Sequence, residues 1–405
     1  MSGPGISALY VHVPFCVRKC AYCDFASRAF AEHDDVFARY VRALRAQLGL
    51  LGLAGLLSTC ATAYVGGGTP TLLGPSLLGQ LVSEVRRSCP RLEELTCEAN
   101  PDSLSDELIS SIREAGTTRL SIGVQSLQDG ELEALGRVHD ARTARERVAA
   151  AISSGLDVSV DLMCAIPLQT ASSWRDTLEQ VVELGPGHVS VYPLAIEEGT
   201  PFWDRYGETD PAWNDEDVQA ERMEEAASVL EGAGYERYEV ASYAREGKAC
   251  RHNQAYWTGL SYLGLGVSAS SMFDIETYRA MRGLAKRLPS VGDDVVRVRM
   301  TSADGINRMA DGMGFDEARY DLELLDARQA IAEDLMLGMR LSEGVGERLA
   351  AECPSATWAD LIERGLLIKR GSRMAPTHRG WLLGNELYGT LWGLAGGPVR
   401  EACST

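Results

Sequence analysis

The chain has 405 residues, of which 45% are hydrophobic and 24% charged, the composition of an ordinary globular protein with room for one large domain and a smaller one. Its formal net charge is -18, which disfavours any polyanionic partner, so no nucleic acid is expected. The opening MSGPGISALYVHVPF lacks the basic segment and long apolar core of a secretion signal, and LGLLGLAGLL is shorter than the ~20 residues that span a bilayer; a cytoplasmic protein with at most peripheral membrane contact is expected.

Apolar strands alternate with amphipathic helices over the first two-thirds. ALYVHV reads as a strand, and Asp35 to Leu51 as a helix. TAYVGG is a strand and Pro75 to Arg87 a helix; ELTCEA is a strand, and SDELISSIREAG opens on a capping Ser and closes on Gly. RLSIGVQS is a strand, followed by helices near Gly130 to Leu135 and Thr143 to Ser154. DVSVDLMCAI and HVSVYPL are strands, followed by helices at Ser173 to Leu184 and Asp215 to Gly232. Repeated βα units imply an α/β fold, with a parallel sheet curled into a partial or complete (β/α) barrel. Ser271 to Gly314 reads as a connection, and the pattern from Asp326 onward is helical. WADLIERGLLIKRGSRMAPTHRGWLLGNELYGTLW reads helix, short hairpin, helix, a winged-helix-like order that in so acidic a chain suits packing better than DNA reading. The expected segments are a barrel over 1–240, a barrel extension and connection over 241–314, and a C-terminal helical domain over 315–405.

Each strand ends in something polar or glycine-rich: a cysteine loop, GGGTPT, Glu98-Ala-Asn-Pro, Gln125-Ser126, Asp161 and Tyr192. Chemistry in βα barrels sits at that end, so these six endings point to one large polar ligand. Seven of the ten cysteines are scattered singly (Cys60, Cys89, Cys97, Cys164, Cys250, Cys353 and Cys403) and are expected to be small buried apolar residues. Cys16, Cys20 and Cys23 form a tight trio. Without an export signal a disulfide is disfavoured, and so tight a trio reads as a metal site rather than as a disulfide pair or an incidental cluster. Three thiolates suit an iron–sulfur cubane with one open iron; zinc would want a fourth ligand, for which His12 and His33 are nearest.

The Cys-x-x-x-Cys-x-x-Cys spacing with Tyr22 resembles the signature of the radical S-adenosylmethionine (SAM) superfamily, and GGGTPT resembles its methionine-binding glycine motif. LYVHVPFC, VGGGTPTLL, ANPDSL, RLSIGVQS, LGRVH, VDLMCAIPLQT and RHNQAYW fall in the order seen in the oxygen-independent coproporphyrinogen oxidase group. Within it they look most like the HemW-type haem chaperones. The resemblance covers nearly the whole chain.

The resemblance implies that Cys16, Cys20 and Cys23 hold a 4Fe-4S cluster whose open iron is chelated by SAM. It implies SAM contacts from Tyr10, Tyr22, Gly67, Gly68, Thr69, Glu98, Gln125, Arg137 and Asp161, the glycines letting backbone approach the methionyl end. His252, Tyr256 and Trp257 of RHNQAYW become the candidates for haem, with His252 as iron ligand and the two aromatics stacking on the macrocycle. The implied function is delivery of haem to an acceptor haem protein, expected among respiratory enzymes, and a homodimer is compatible with it. Two features separate this chain from the oxidase: Phe25 stands where the oxidase has a further cysteine, and only nine residues precede Tyr10. One runs the other way. Chaperones usually show Ala-His after YLGLG plus a small residue, whereas this chain has Val267-Ser268-Ala269-Ser270-Ser271. Coproporphyrinogen oxidase and a radical SAM methyltransferase of the same group are therefore the alternatives.

Overall fold

The protein is described by a computed structural model that covers residues 5–31, 34–207 and 215–404. Six strands follow one another in space as they do in sequence: β1 (Ala8–Val13), β2 (Thr62–Gly67), β3 (Glu94–Ala99), β4 (Arg119–Gln125), β5 (Asp157–Cys164) and β6 (His188–Pro193). All five neighbouring pairs are parallel. On the far side of β6 lie β8 (Ser242–Ala244) and then β7 (Glu236–Arg237), both pairings antiparallel. On the other side of β1 lies β9 (Tyr262–Leu265), a seventh parallel strand. Among the described residues the sheet has two ends and does not close on itself, so the expected barrel is a partial one.

Helices Asp35–Leu53, Gly74–Ser88, Asp106–Ala115, Ala141–Ser153 and Ala171–Leu184 fill the crossovers. Their ends follow from local chemistry. Ser105 accepts a hydrogen bond from the Leu108 N–H at 3.1 Å, and Thr170 and Ser173 form a reciprocal capping box. The parallel strands alternate strictly. Leu9, Val11, Leu95, Cys97, Leu120, Ile122, Val158, Val160 and Val189 point outward and are buried against Leu48, Leu81, Ile112, Val148 and Leu178 of the helices. Each such side chain contributes about 1.5–3 kcal/mol on burial. The residues between them, among them Tyr10, Tyr64, Glu98, Ser121, Asp161 and Ser190, face a cavity on the concave side. The hydrophobic core thus lies outside the curl, and the inside is polar.

The segment read as a connection is in fact part of the sheet. β10 (Ser270–Asp274), β11 (Val295–Ser302) and β12 (Tyr320–Asp326) extend it antiparallel beyond β9, with helix Ile275–Leu284 between the first two. Arg297 and Arg299 break the apolar pattern of β11. They are stabilised by ion pairs that sequence cannot show, Arg297 to Glu333 at 2.7 Å and Arg299 to Glu323 and Glu333. A final strand, β13 (Arg400–Cys403), pairs with β12, so 320–326 and 400–403 belong to this sheet although they lie in the segment expected to be helical. Cys403 on that edge is exposed, unlike the other six isolated cysteines, which are buried as expected. Helices Ala327–Gly338 and Ser355–Glu363, a hairpin pairing Leu367–Arg370 with Arg373–Pro376, and helices His378–Leu382 and Gly384–Trp392 complete the C-terminal part. They give the winged-helix-like order around a separate core of Leu335, Met339, Leu361, Leu387 and Leu391. Among the described residues no helix is long and apolar enough to cross a membrane.

Candidate functional site

The concave face holds a cavity of about 520 Å³. Its mouth is the cysteine loop that follows β1. The loop is closed at the neck, where Phe15 pairs with Arg28 and Cys16 with Ala29. Three ties fix it to the rest of the rim. The Arg18 Nη2 donates to the Gly136 carbonyl at 2.7 Å, the Ala21 N–H donates to the Leu135 carbonyl at 3.2 Å, and His12 Nε2 lies 3.0 Å from the Ala26 carbonyl. A carbonyl can only accept, so His12 carries its proton on Nε2 and takes the Tyr10 hydroxyl on Nδ1 at 2.9 Å. Burial lowers the His12 pKa and keeps the ring neutral. Both nitrogens are therefore used, and His12 is not free as a fourth metal ligand; His33 lies outside the described residues.

Cys16, Cys20 and Cys23 are half-buried, unpaired thiols on this loop and all line the cavity. Burial pushes the Cys16 and Cys23 thiols up, so both stay protonated at neutral pH until a metal displaces the proton. Among the described residues no three Cys, His, Asp or Glu side chains converge on one ion-sized centre. A cubane takes each thiolate at a different corner, so its ligands stand farther apart than those of a single zinc. The Thr69 hydroxyl lies 3.7 Å from the Cys16 sulfur and Arg137 Nη1 lies 3.4 Å from the Cys20 sulfur.

Arg137 owes its position to Gly136, which ends helix Asp129–Leu135 in the left-handed region at φ 77° and turns the chain back over the cavity. Its Nη2 donates to Asn100 Oδ1 and to the Gly123 carbonyl, each at 2.8 Å. Asn100 Nδ2 in turn donates to Thr69 Oγ1 at 3.0 Å. One guanidinium thus ties together the cysteine loop, the end of β3 and the end of β4. No role was expected for Asn100. The signal that marks it is its place at a strand end inside ANPDSL.

Gly67 and Gly68 line the cavity after β2, and packing gives a reason for glycine besides the one expected. A Cβ on Gly67 would lie 2.4 Å from the His12 ring, with φ at +114°, and one on Gly68 would lie 2.6 Å from the Phe15 carbonyl oxygen. The space they leave free is filled by the protein behind the cradle. The Gly67 N–H donates to Glu98 Oε2 at 2.8 Å. Burial, with repulsion from Asp161, pushes the Glu98 carboxyl from 4.5 up to about 7. Asp161 is likewise raised by burial and accepts from Ser121 Oγ at 2.8 Å and Ser159 Oγ at 3.4 Å. Gln125 sits at φ 67°, beside a register shift at the end of β4, and Ala165 and Leu168, just past β5, are at φ 56° and 67°. Of these three non-glycine residues in the left-handed region, Gln125 lines the cavity, so backbone strain is stored at its wall.

All three cysteines and all nine expected SAM contacts (Tyr10, Tyr22, Gly67, Gly68, Thr69, Glu98, Gln125, Arg137 and Asp161) line this one cavity, as do His252 and Tyr256. Tyr64 lines it too, though no role was expected for it. Trp257 does not. It stacks on the Arg340 guanidinium 5.0 Å from its ring centre, against the C-terminal part. Helix Arg251–Trp257 is held by Glu94, whose carboxylate accepts from the Arg251 and His252 N–H groups at 3.0 and 2.9 Å. The His252 ring is 1% exposed and stacked on Tyr64 with centroids 5.3 Å apart. Its Nδ1 meets Thr62 Oγ1 at 3.1 Å and its Nε2 meets the Tyr256 hydroxyl at 3.0 Å. Burial pushes its pKa down to about 3. In this conformation neither ring nitrogen is open to a haem iron. Ser270, where the sequence departs from the chaperone pattern, is exposed on β10 beside Thr301 and does not line this cavity.

Comparison with known proteins follows the same outline. The Radical SAM superfamily model matches residues 10–181, a domain that implies a 4Fe-4S cluster and SAM. The solved structure of coproporphyrinogen III oxidase (HemN) from Escherichia coli, described as a radical SAM enzyme, superposes with a TM-score of 0.74 at 20% identity, covering 96% of this chain and 90% of that one; it shows the shared fold. The heme chaperone HemW of Bacillus subtilis is 30% identical over 96% of this chain and 100% of its own length. The heme chaperone HemW of Mycobacterium tuberculosis (strain CDC 1551 / Oshkosh) is 34% identical over 95% of this chain and 94% of its own. With relatives at that identity running the full course of the fold, and the cysteine loop, glycine cradle and strand-end residues meeting in one cavity, the chain belongs to the HemW family of the radical SAM superfamily.

Proposed function

We propose that this protein is a haem chaperone on a radical SAM scaffold, one that binds haem and passes it to an acceptor haem protein, with respiratory haem enzymes as the expected acceptors. The observation that carries the reading is that similarity to proteins named heme chaperone HemW does not stop with residues 10–181 but continues over 96% of the chain, through the RHNQAYW helix and the C-terminal part. The coproporphyrinogen oxidase alternative has a shared fold behind it and no site observation that favours it. The methyltransferase alternative has none either.

The cavity supports the cofactor part of the reading. Three thiols sit on one anchored loop, with a hydroxyl and a guanidinium beside two of the sulfurs. Behind them lies a backbone cradle with no room for side chains, and two half-buried carboxyls, Glu98 and Asp161, stand deeper in. That donor set fits a cluster of three-cysteine ligation with SAM beside it. Cys16, Cys20 and Cys23 would hold the cluster. Arg137, its Nη2 held by Asn100 and Gly123, would face the carboxylate of SAM as a fixed positive charge, Glu98 and Asp161 its ammonium or ribose hydroxyls, and Tyr10 and Tyr22 would pack against it and keep water out. When bound, cluster and SAM supply one-electron chemistry that no side chain of the protein can. For haem, His252 serves as ligand only if helix Arg251–Trp257 opens, because Nε2 must first release the Tyr256 hydroxyl.

The test is anaerobic reconstitution of the full chain, followed by haem titration and transfer of the bound haem to an apo-haem protein. About one haem per chain, passed on to the acceptor, is expected. Decarboxylation of coproporphyrinogen with no specific haem binding would overturn the assignment.

A further inference from the structure

Arg119 opens β4 at the end away from the cysteine loop. At about 3.3 Å per residue it lies about 13 Å along the strand from Gly123, whose carbonyl holds Arg137 at the mouth. It lines the same cavity and is 3% exposed. Arg119, Arg222 and Arg297 are the buried arginines among the described residues. Arg222 is paired with Glu221, and Arg297 with Glu333 and Asp334. Arg119 has no such partner, because the acids on the two neighbouring strands are spent elsewhere. On β5, Asp157 pairs with Lys248 and Asp161 accepts from Ser121 and Ser159. On β3, Glu98 accepts the Gly67 N–H and Glu94 the N–H groups of Arg251 and His252. Arg119 Nη1 donates to the Lys248 carbonyl at 2.9 Å, and its Nη2 is buried with no hydrogen-bond partner. A buried cation with a free donor is costly until something completes it.

We propose that Arg119 anchors a carboxylate subsite at the inner end of the cavity, and that the haem cargo supplies the carboxylate from one of its propionates. The inference rests on the haem reading above. Nη2 donates one charge-assisted hydrogen bond to the carboxylate, and the ligand's charge neutralises the guanidinium where solvent screens it little. Two observations favour haem over a small free acid. Tyr64, Tyr192 and Tyr256 line the cavity and offer aromatic surface to a macrocycle, which a small acid does not need. The Lys248 carbonyl that holds Nη1 lies three residues before helix Arg251–Trp257, so the subsite is joined to the segment that carries His252, the candidate iron ligand. The carboxylate of SAM is not the occupant, because Arg137 at the mouth is placed for it.

The experiment titrates two probes into the anaerobically reconstituted full chain and follows haem absorbance: haem, and haem dimethyl ester, whose propionates carry no charge. Haem should bind the unaltered chain about tenfold more tightly than the ester. Arg119→Gln should lower haem affinity about tenfold, to that of the ester, and leave the ester where it was; a merely structural defect would weaken both. Arg119→Lys keeps the charge and should restore part of the preference. Iron content and SAM binding should survive in both variants, because Arg119 stands at the far end of β4 from the cysteine loop. Equal affinities of haem and ester in the unaltered chain, which need no variant, would overturn haem as the occupant, and so would an equal loss for both probes in Arg119→Gln. Calorimetry with sodium propionate then decides the subsite itself. Binding that is lost in Arg119→Gln keeps a carboxylate subsite for a small acid, and no binding overturns it. If neither haem nor its ester binds the unaltered chain, the haem reading fails, and haem as the occupant with it.

Discussion

Replacing Glu98 by Gln tests the electrostatics of the cavity without removing any contact. Glu98 lies on the inward face of β3 and accepts the Gly67 N–H at 2.8 Å; Gln keeps that acceptor and carries no charge. Burial first, and Asp161 second, raise the carboxyl from 4.5 to about 7. A folded pKa above the unfolded one means that the native chain holds the extra proton between those two values. Stability therefore falls as pH rises from the ordinary carboxylate range to about 7, and the full cost stands above it. At 1.36 kcal/mol per unit, the rise from 4.5 to about 7 corresponds to at most about 3 kcal/mol. Solvent in the open cavity screens part of this, which leaves about 1–3 kcal/mol. Denaturation of the metal-free chain by urea should give nearly matching stabilities for Glu98→Gln and the unaltered chain near pH 4.5, and a more stable variant at pH 8. A bound SAM reverses the preference, because its cationic groups favour the carboxylate. Its affinity should rise through about pH 7 in the unaltered chain and stay flat in the variant. A stability gap that does not change with pH would refute the reasoning.

Reconstituted protein should hold about four irons per chain with matching labile sulfide. Cys16→Ala, Cys20→Ala and Cys23→Ala should each abolish this, while Cys60, Cys89, Cys97, Cys164, Cys250, Cys353 and Cys403 should be replaceable one at a time. Gly67→Ala forces a Cβ to within 2.4 Å of the His12 ring at a φ of +114°; a loss of about 1–3 kcal/mol together with loss of iron is expected, since His12 holds Ala26 of the loop, and full iron content would count against that linkage. Asn100→Ala removes the partner shared by Thr69 and Arg137, and calorimetry should show SAM binding weakened by about tenfold with iron retained. Tyr256→Phe removes the hydrogen bond that occupies His252 Nε2 and should tighten haem binding about fivefold if His252 ligates iron after opening; His252→Ala should then change the haem absorption spectrum, and an unchanged spectrum would remove His252 from consideration.

The parallel strands were legible because their period of two is written in Val, Ile and Leu, as in RLSIGVQ and DVSVDLMC. Their helices were legible from capping residues such as Ser105 and closing glycines such as Gly116. The strand-end residues could be gathered in advance because the βα repeat puts every such end on one rim. Strands β10 to β13 were not legible. Arg297 and Arg299 interrupt the apolar pattern of β11, and only their distant partners Glu323, Glu333 and Asp334 make them compatible with a sheet. Two details of the site needed coordinates for the same reason. That Gly67 yields to His12, which lies on the preceding parallel strand with a whole helix between them in the chain, and that His252 spends both nitrogens on Thr62 and Tyr256, are facts about neighbours in space.

The placement of the core outside the curl separates two kinds of mutational sensitivity. Along β4, Leu120, Ile122 and Val124 hold helices, while Ser121, Gly123 and Gln125 face the cavity. A library scored for abundance should therefore strike the first set, and one scored for cofactor or cargo binding the second, in stripes one residue out of phase. Thermostable variants can be sought on the outward stripe with the cavity wall untouched. Selectivity can be altered on the inward stripe with little cost to folding, because few of its side chains carry core contacts.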